Sequence, residues 1–136
     1  MTKFKIDYLG GLRTRCVHEA SGEELLTDAP LDNQGKGEYF SPTDLVGLAL
    51  GSCVLTLMGI AAKRLGVSID GTTLTVEKEM KSAPSRMIGK LAMHIACPVA
   101  LEPKAIEQIE KAARGCPVHH SLHPDIVQEF HFVWKS

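Results

Sequence analysis

Residues 41–66 read Ser41-Pro42-Thr43-Asp44-Leu45-Val46-Gly47-Leu48-Ala49-Leu50-Gly51-Ser52-Cys53-Val54-Leu55-Thr56-Leu57-Met58-Gly59-Ile60-Ala61-Ala62-Lys63-Arg64-Leu65-Gly66, and this run decides the fold. From Leu45 to Ala62 no side chain is charged, so as a helix the segment must be covered by protein or lipid. Ser41 can cap its first turn, Pro42 suits a position whose missing N–H costs nothing, and Asp44 stands at capping-box spacing from Ser41. Gly66 stops the helix. The uncharged stretch only reaches the lower edge of a membrane span, and Gly47, Gly51, Ser52, Cys53, Thr56 and Gly59 interrupt it. The expectation is a central helix wrapped by sheet.

Working outward, Lys3 to Leu9 alternates polar with apolar residues, and Gly10-Gly11 offers a tight turn into Arg13 to His18, which predicts a hairpin. A turn at Ser21-Gly22 leads into Glu24 to Asp28, and Ala29 to Phe40, with Pro30, Asn33, Gly35 and Gly37, reads as a loop. Beyond the helix, Thr72 to Lys81 and Arg86 to Ala96 are strands expected to pair antiparallel. Pro103 opens an amphipathic helix that Gly115 closes, with Lys111 and Arg114 in its last turn. Ile126 to Trp134 is a final strand. The chain is read as one α+β domain over residues 1–136.

Composition narrows the function. With 15 basic and 16 acidic residues and a formal charge of -1, the chain lacks the electrostatic footprint of a nucleic-acid or anionic-membrane binder. The N-terminus has no apolar h-region, so the four cysteines are assigned to a reducing cytoplasm without structural disulfides. A cysteine buried in a helix, such as Cys53, is ordinarily a small inert hydrophobe. Cys116 changes the weighing, because Gly115-Cys116-Pro117-Val118 puts a second thiol where a helix has just ended and the chain must turn. Cys97-Pro98 repeats the dipeptide without a helix before it. Cys16 and Cys97 are read as packing residues.

The string Ser41-Pro42-Thr43-Asp44-Leu45-Val46, followed by Ala49-Leu50-Gly51-Ser52-Cys53 and later by Gly115-Cys116-Pro117-Val118, resembles the OsmC/Ohr family of osmotically inducible and organic-hydroperoxide-resistance proteins. The order of elements resembles it over nearly the whole chain. The resemblance implies an OsmC-like fold of antiparallel sheets wrapped around a long central helix, in an intertwined homodimer with two active sites at its interface. It also implies a thiol-dependent peroxidase acting on organic hydroperoxides and hydrogen peroxide. By it Cys53 matches the peroxidatic cysteine and Cys116 the resolving one, a cellular dithiol regenerates the thiols, and no metal or organic cofactor is required. The chemistry needs such parts on its own account: a thiolate attacks the peroxide oxygen, and a second thiol condenses the sulfenic acid into a disulfide.

The supporting residues depart from the best-studied members, which carry Glu where this chain has Thr43 and pair it with an upstream Arg. A less characterised branch places its acid at the position of Asp44. On one helix, residues 44 and 53 are about 13 Å apart and half a turn out of phase, so Asp44 cannot touch its own Cys53. Its bland role is helix capping. Glu38 is the other candidate acid, and between Arg13 and Arg15, which share a strand face, Arg15 is favoured as the cation. The run Cys116-Pro117-Val118-His119-His120-Ser121-Leu122-His123 gathers one thiol and three imidazoles. Structural zinc needs paired ligands on two arms, so these are read as turn histidines, His119 or His120 at most lowering the pKa of Cys116. The competing function is a non-catalytic redox sensor, or a metal- or ligand-binding protein, on the same fold.

Overall fold

The computed structural model describes residues 1–136. Its elements are β1 (Phe4–Gly10), β2 (Arg13–His18), β3 (Glu24–Asp28), a 3-10 turn at Leu31–Asn33, α1 (Pro42–Leu65), β4 (Thr73–Lys81), β5 (Met87–Cys97), α2 (Pro103–Arg114), α3 (Pro117–Ser121) and β6 (Val127–Trp134). The α+β class read from the sequence is the class observed, and the strand ends fall within a residue of expectation. Two compact units divide the chain, Met1–Val46 and Gly47–Ser136.

The first unit is a three-stranded antiparallel sheet in the order β1-β2-β3. Its register sets Ile6 opposite Cys16 and Cys16 opposite Leu25. Because side chains alternate along a strand, Phe4, Ile6 and Tyr8 share a face with Cys16 and Leu25. That face is apolar and open, with Phe4, Ile6 and Tyr8 more than half exposed. At the start of α1 the capping box is complete: the Asp44 N–H donates to the Ser41 hydroxyl at 3.1 Å, and the Ser41 N–H donates to the Asp44 carboxylate at 2.9 Å.

In the second unit, α1 buries Gly47, Leu50, Gly51, Val54, Met58 and Ala62, a stripe at helical spacing. It rests on the sheet β4-β5-β6, and two glycines set how closely. A Cβ on Gly47 would lie 3.3 Å from Leu91 and Val76, and one on Gly51 would lie 2.9 Å from Leu74. The sheet answers with Leu91, Met93 and Ile95, all nearly fully buried, and α2 adds Ile109 and Ala113. The helix is long and apolar enough to cross a membrane by length and composition. Here its apolar stripe is the core of the unit. At Gly66, which takes φ +72, the Gly66 N–H donates to Lys63 and the Val67 N–H to Ala62, a Schellman ending that fits the glycine.

Two points in the sheets and at the end of α2 differ from expectation. The sheets are not wholly antiparallel: β5 and β6 run parallel, from Lys90 opposite Val127 to Cys97 opposite Trp134. The chain between them holds α2 and α3, and a crossover of that kind returns the strand in the same direction. Gly115 does close α2, through its N–H to the Ala112 carbonyl, but with φ -92 rather than a left-handed turn.

Candidate functional site

The site begins with Cys53, two residues beyond Gly51. The buried stripe of α1 passes through Leu50 and Val54, which leaves Cys53 off its centre and half-buried. Cys116 follows α2, where Gly115 has ended the helix and Pro117 begins α3. Its side chain is fully buried. The fold brings these two thiols close enough that Cys53 perturbs the Cys116 thiol, and all four cysteines are free.

Cys116 is the N-cap of α3, and its sulfur accepts the His119 N–H at 3.4 Å. Burial pushes the Cys116 thiol pKa up and the hydrogen bond with Cys53 adds to that, while the N–H groups of His119 and Val118 pull it down. The balance keeps this sulfur protonated at rest. The sequence predicts a turn here where the structure forms α3, because five residues opened by proline leave no periodic signature.

The rings of His119 and His120 lie 5.3 Å apart, but the three nearby histidines do not gather at one point. His119 turns its ring to Gln128 on β6, while His123 is exposed and accepts the Asp125 N–H at 3.0 Å. His120 is exposed. No group of three or more His, Cys, Asp or Glu side chains has metal-binding geometry. His94 lies on β5, stacked on His131 of β6 with ring centres 4.9 Å apart.

The remaining candidates lie in the first unit. Arg15 donates to Asp7 at 3.1 Å, its direct partner across the β1–β2 ladder. Arg13, not Arg15, reaches Glu38, and it also meets Asp28 at 3.4 Å. Register decides which arginine takes which acid, since Arg13 faces Asp28 across β2–β3 whereas Arg15 faces Leu26. The ring of Tyr39 lies 5.2 Å from the Arg13 guanidinium. Asp28, unremarked in the sequence, is buried and accepts the Glu38 N–H at 3.1 Å. That N–H first, and Arg13 after it, hold its carboxyl below the ordinary range against the cost of burial. Glu38 and Asp44 both line a hollow of about 500 Å³ with Glu24, Leu25, Leu26, Gly37, Tyr39 and Phe40. The Asp44 carboxylate caps α1.

The family model described as OsmC-like protein matches residues 35–130. A solved structure from Psychrobacter arcticus 273-4, of a protein ascribed to osmotic stress induction and detoxification response, is 44% identical, with a TM-score of 0.92 over 98% of this chain and 96% of that one. An organic hydroperoxide resistance protein OsmC from Legionella pneumophila is 17% identical, with a TM-score of 0.77 over 97% and 96% of the two chains. An organic hydroperoxide resistance protein from Elizabethkingia anophelis is 17% identical, with a TM-score of 0.78 over 99% and 96%. At these lower identities the likeness is one of fold. No match is found among curated proteins.

Proposed function

The chain belongs to the OsmC-like protein family, and on that premise we propose that it is a thiol-dependent peroxidase reducing organic hydroperoxides, and hydrogen peroxide, in the cytoplasm. The observation that carries this reading is the proximity of the free thiols of Cys53 and Cys116, close enough for one to perturb the other. The half-buried Cys53 thiolate attacks the peroxide oxygen and the alcohol departs, leaving a sulfenic acid on Cys53. The Cys116 thiol then condenses with it, forming the disulfide and releasing water. A cellular dithiol restores both thiols by exchange. None of these steps calls on a metal or an organic cofactor.

The paired cation and acid that the resemblance assigns are best matched by Arg13 and Glu38, which already form an ion pair. We further propose a homodimer. Its support is the apolar surface left uncovered in each unit: Phe4, Ile6 and Tyr8 on β1, and Leu48 and Ile60 on α1.

Mixing reduced protein with cumene hydroperoxide tests the activity. One peroxide should be consumed per subunit, with a Cys53–Cys116 disulfide as product. Cys116→Ser should instead trap a sulfenic acid on Cys53. Indifference to millimolar peroxide would end the peroxidase reading.

A further inference from the structure

The chemistry proposed above makes no use of Gln128, yet the geometry ties it to Cys116 through His119. α3 has five residues, too few for a helix to hold itself in water. What fixes it is β6. The Gln128 amide nitrogen donates to the His119 carbonyl at 3.2 Å, and the Gln128 amide oxygen lies 2.5 Å from His119 Nδ1. An amide oxygen can only accept, so Nδ1 carries the ring proton and the tautomer is set. Phe130, on the same face of β6 as Gln128, meets the imidazole edge-on with centroids 5.3 Å apart, and the Arg114 guanidinium lies 5.1 Å from the Phe130 ring. Ring and backbone of residue 119 are therefore both held by the sheet. The N–H held with them is the one that donates to the Cys116 sulfur.

We infer that Gln128 and His119 are positioning residues for the resolving thiol, clamping α3 so that the Cys116 sulfur stays on the α3 N–H groups and beside Cys53. The inference rests on the peroxidase reading. In the closing step the Cys116 sulfur attacks the sulfenic sulfur of Cys53. The new S–S bond forms as the S–O bond breaks, and the departing hydroxide leaves as water with the thiol proton. Cys116 must give up that proton while fully buried. Burial and Cys53 oppose the loss, and the His119 and Val118 N–H groups favour it. A loosened α3 forfeits those donors and the fixed approach to Cys53 together.

The test follows both halves of the oxidation separately, capturing the sulfenic acid with dimedone and reading disulfide formation by mass spectrometry after mixing with cumene hydroperoxide. Gln128→Leu removes both hydrogen bonds, and should leave sulfenate formation unchanged while slowing closure roughly tenfold. Its closure profile should also move to higher pH. Gln128→Glu keeps an acceptor for Nδ1–H and loses the amide donor, so its closure should be intermediate. Unchanged closure in Gln128→Leu overturns the inference, as does equal slowing of both steps. If Gln128→Leu does not fold, Gln128→Glu carries the measurement. Diamide, which oxidises the same thiol pair to the disulfide while it is reduced to the hydrazine, separates this inference from the activity. Slower closure by diamide in the variants supports the clamp even if native protein ignores peroxide, and equal closure by diamide overturns it.

Discussion

Arg13 stands directly across the β2–β3 ladder from Asp28, and their side chains meet at 3.4 Å. The same carboxylate accepts the Glu38 N–H, so one buried acid ties a strand cation to the loop before α1. Because its pKa is lowered in the folded protein, the linkage has a definite sign. The stabilisation is fully present above the unfolded carboxyl value, about 3.9, and is lost as pH falls through the lower folded value. Melting temperatures measured from pH 6 down to pH 3 should therefore drop more steeply in the native protein than in Asp28→Asn. Parallel profiles would show that Asp28 contributes nothing to acid lability.

The Ser41–Asp44 capping box predicts a local cost. Ser41→Ala removes the hydroxyl that accepts the Asp44 N–H, and should destabilise the fold by about 1 kcal/mol. Urea denaturation at neutral pH reads this directly. A shift below a few tenths would mean that the helix start is held by other contacts.

Two glycines of α1 should respond in opposite directions. Gly59 has nothing near its missing side chain, so Gly59→Ala should stabilise by about 1 kcal/mol through helix propensity alone. A Cβ on Gly51 would lie 2.9 Å from Leu74 and 3.2 Å from Val76, and Gly51→Val should destabilise by ~1–3 kcal/mol through overpacking. Thermal melts of the pair decide the matter. Equal responses would deny that Gly51 sets the helix–sheet distance.

Thiol accessibility should rank the cysteines of the second unit. Cys53 is half-buried, whereas Cys97 and Cys116 are 3% and 0% exposed, and burial pushes the pKa of both upward. Iodoacetamide at pH 8 should label Cys53 at least roughly tenfold faster than either, since the thiolate is the reacting species. Peptide mapping after a time course would expose any other order.

The proposed dimer can be weighed. The chain mass is 14.8 kDa, and light scattering on the native protein should return twice that value. Ile6→Lys, placed on the uncovered face of β1, should lower it toward the single-chain mass. A monomeric native protein would leave those apolar faces without the partner proposed for them.

Much of the architecture was legible in the residues themselves. The uncharged run, Ser41, Pro42, Asp44 and Gly66 specify where α1 starts and stops, because capping and the left-handed turn are chemistry of neighbours in the chain. Alternation from Lys3 to Leu9 and the turn at Gly10-Gly11 likewise fix the first hairpin. The motifs around Cys53 and Cys116 pointed to a thiol couple and to the family. Sequence spacing was silent on three matters that depend on residues far apart in the chain. Register between strands assigns Asp28 to Arg13 and Asp7 to Arg15, so the arginine favoured by position is occupied elsewhere. The crossover through α2 and α3 makes β5 and β6 parallel and sets Gln128 beside His119. The proximity of Cys53 and Cys116 follows only once α1 and α3 are both in place, since no local interaction along the chain could bring those two residues together.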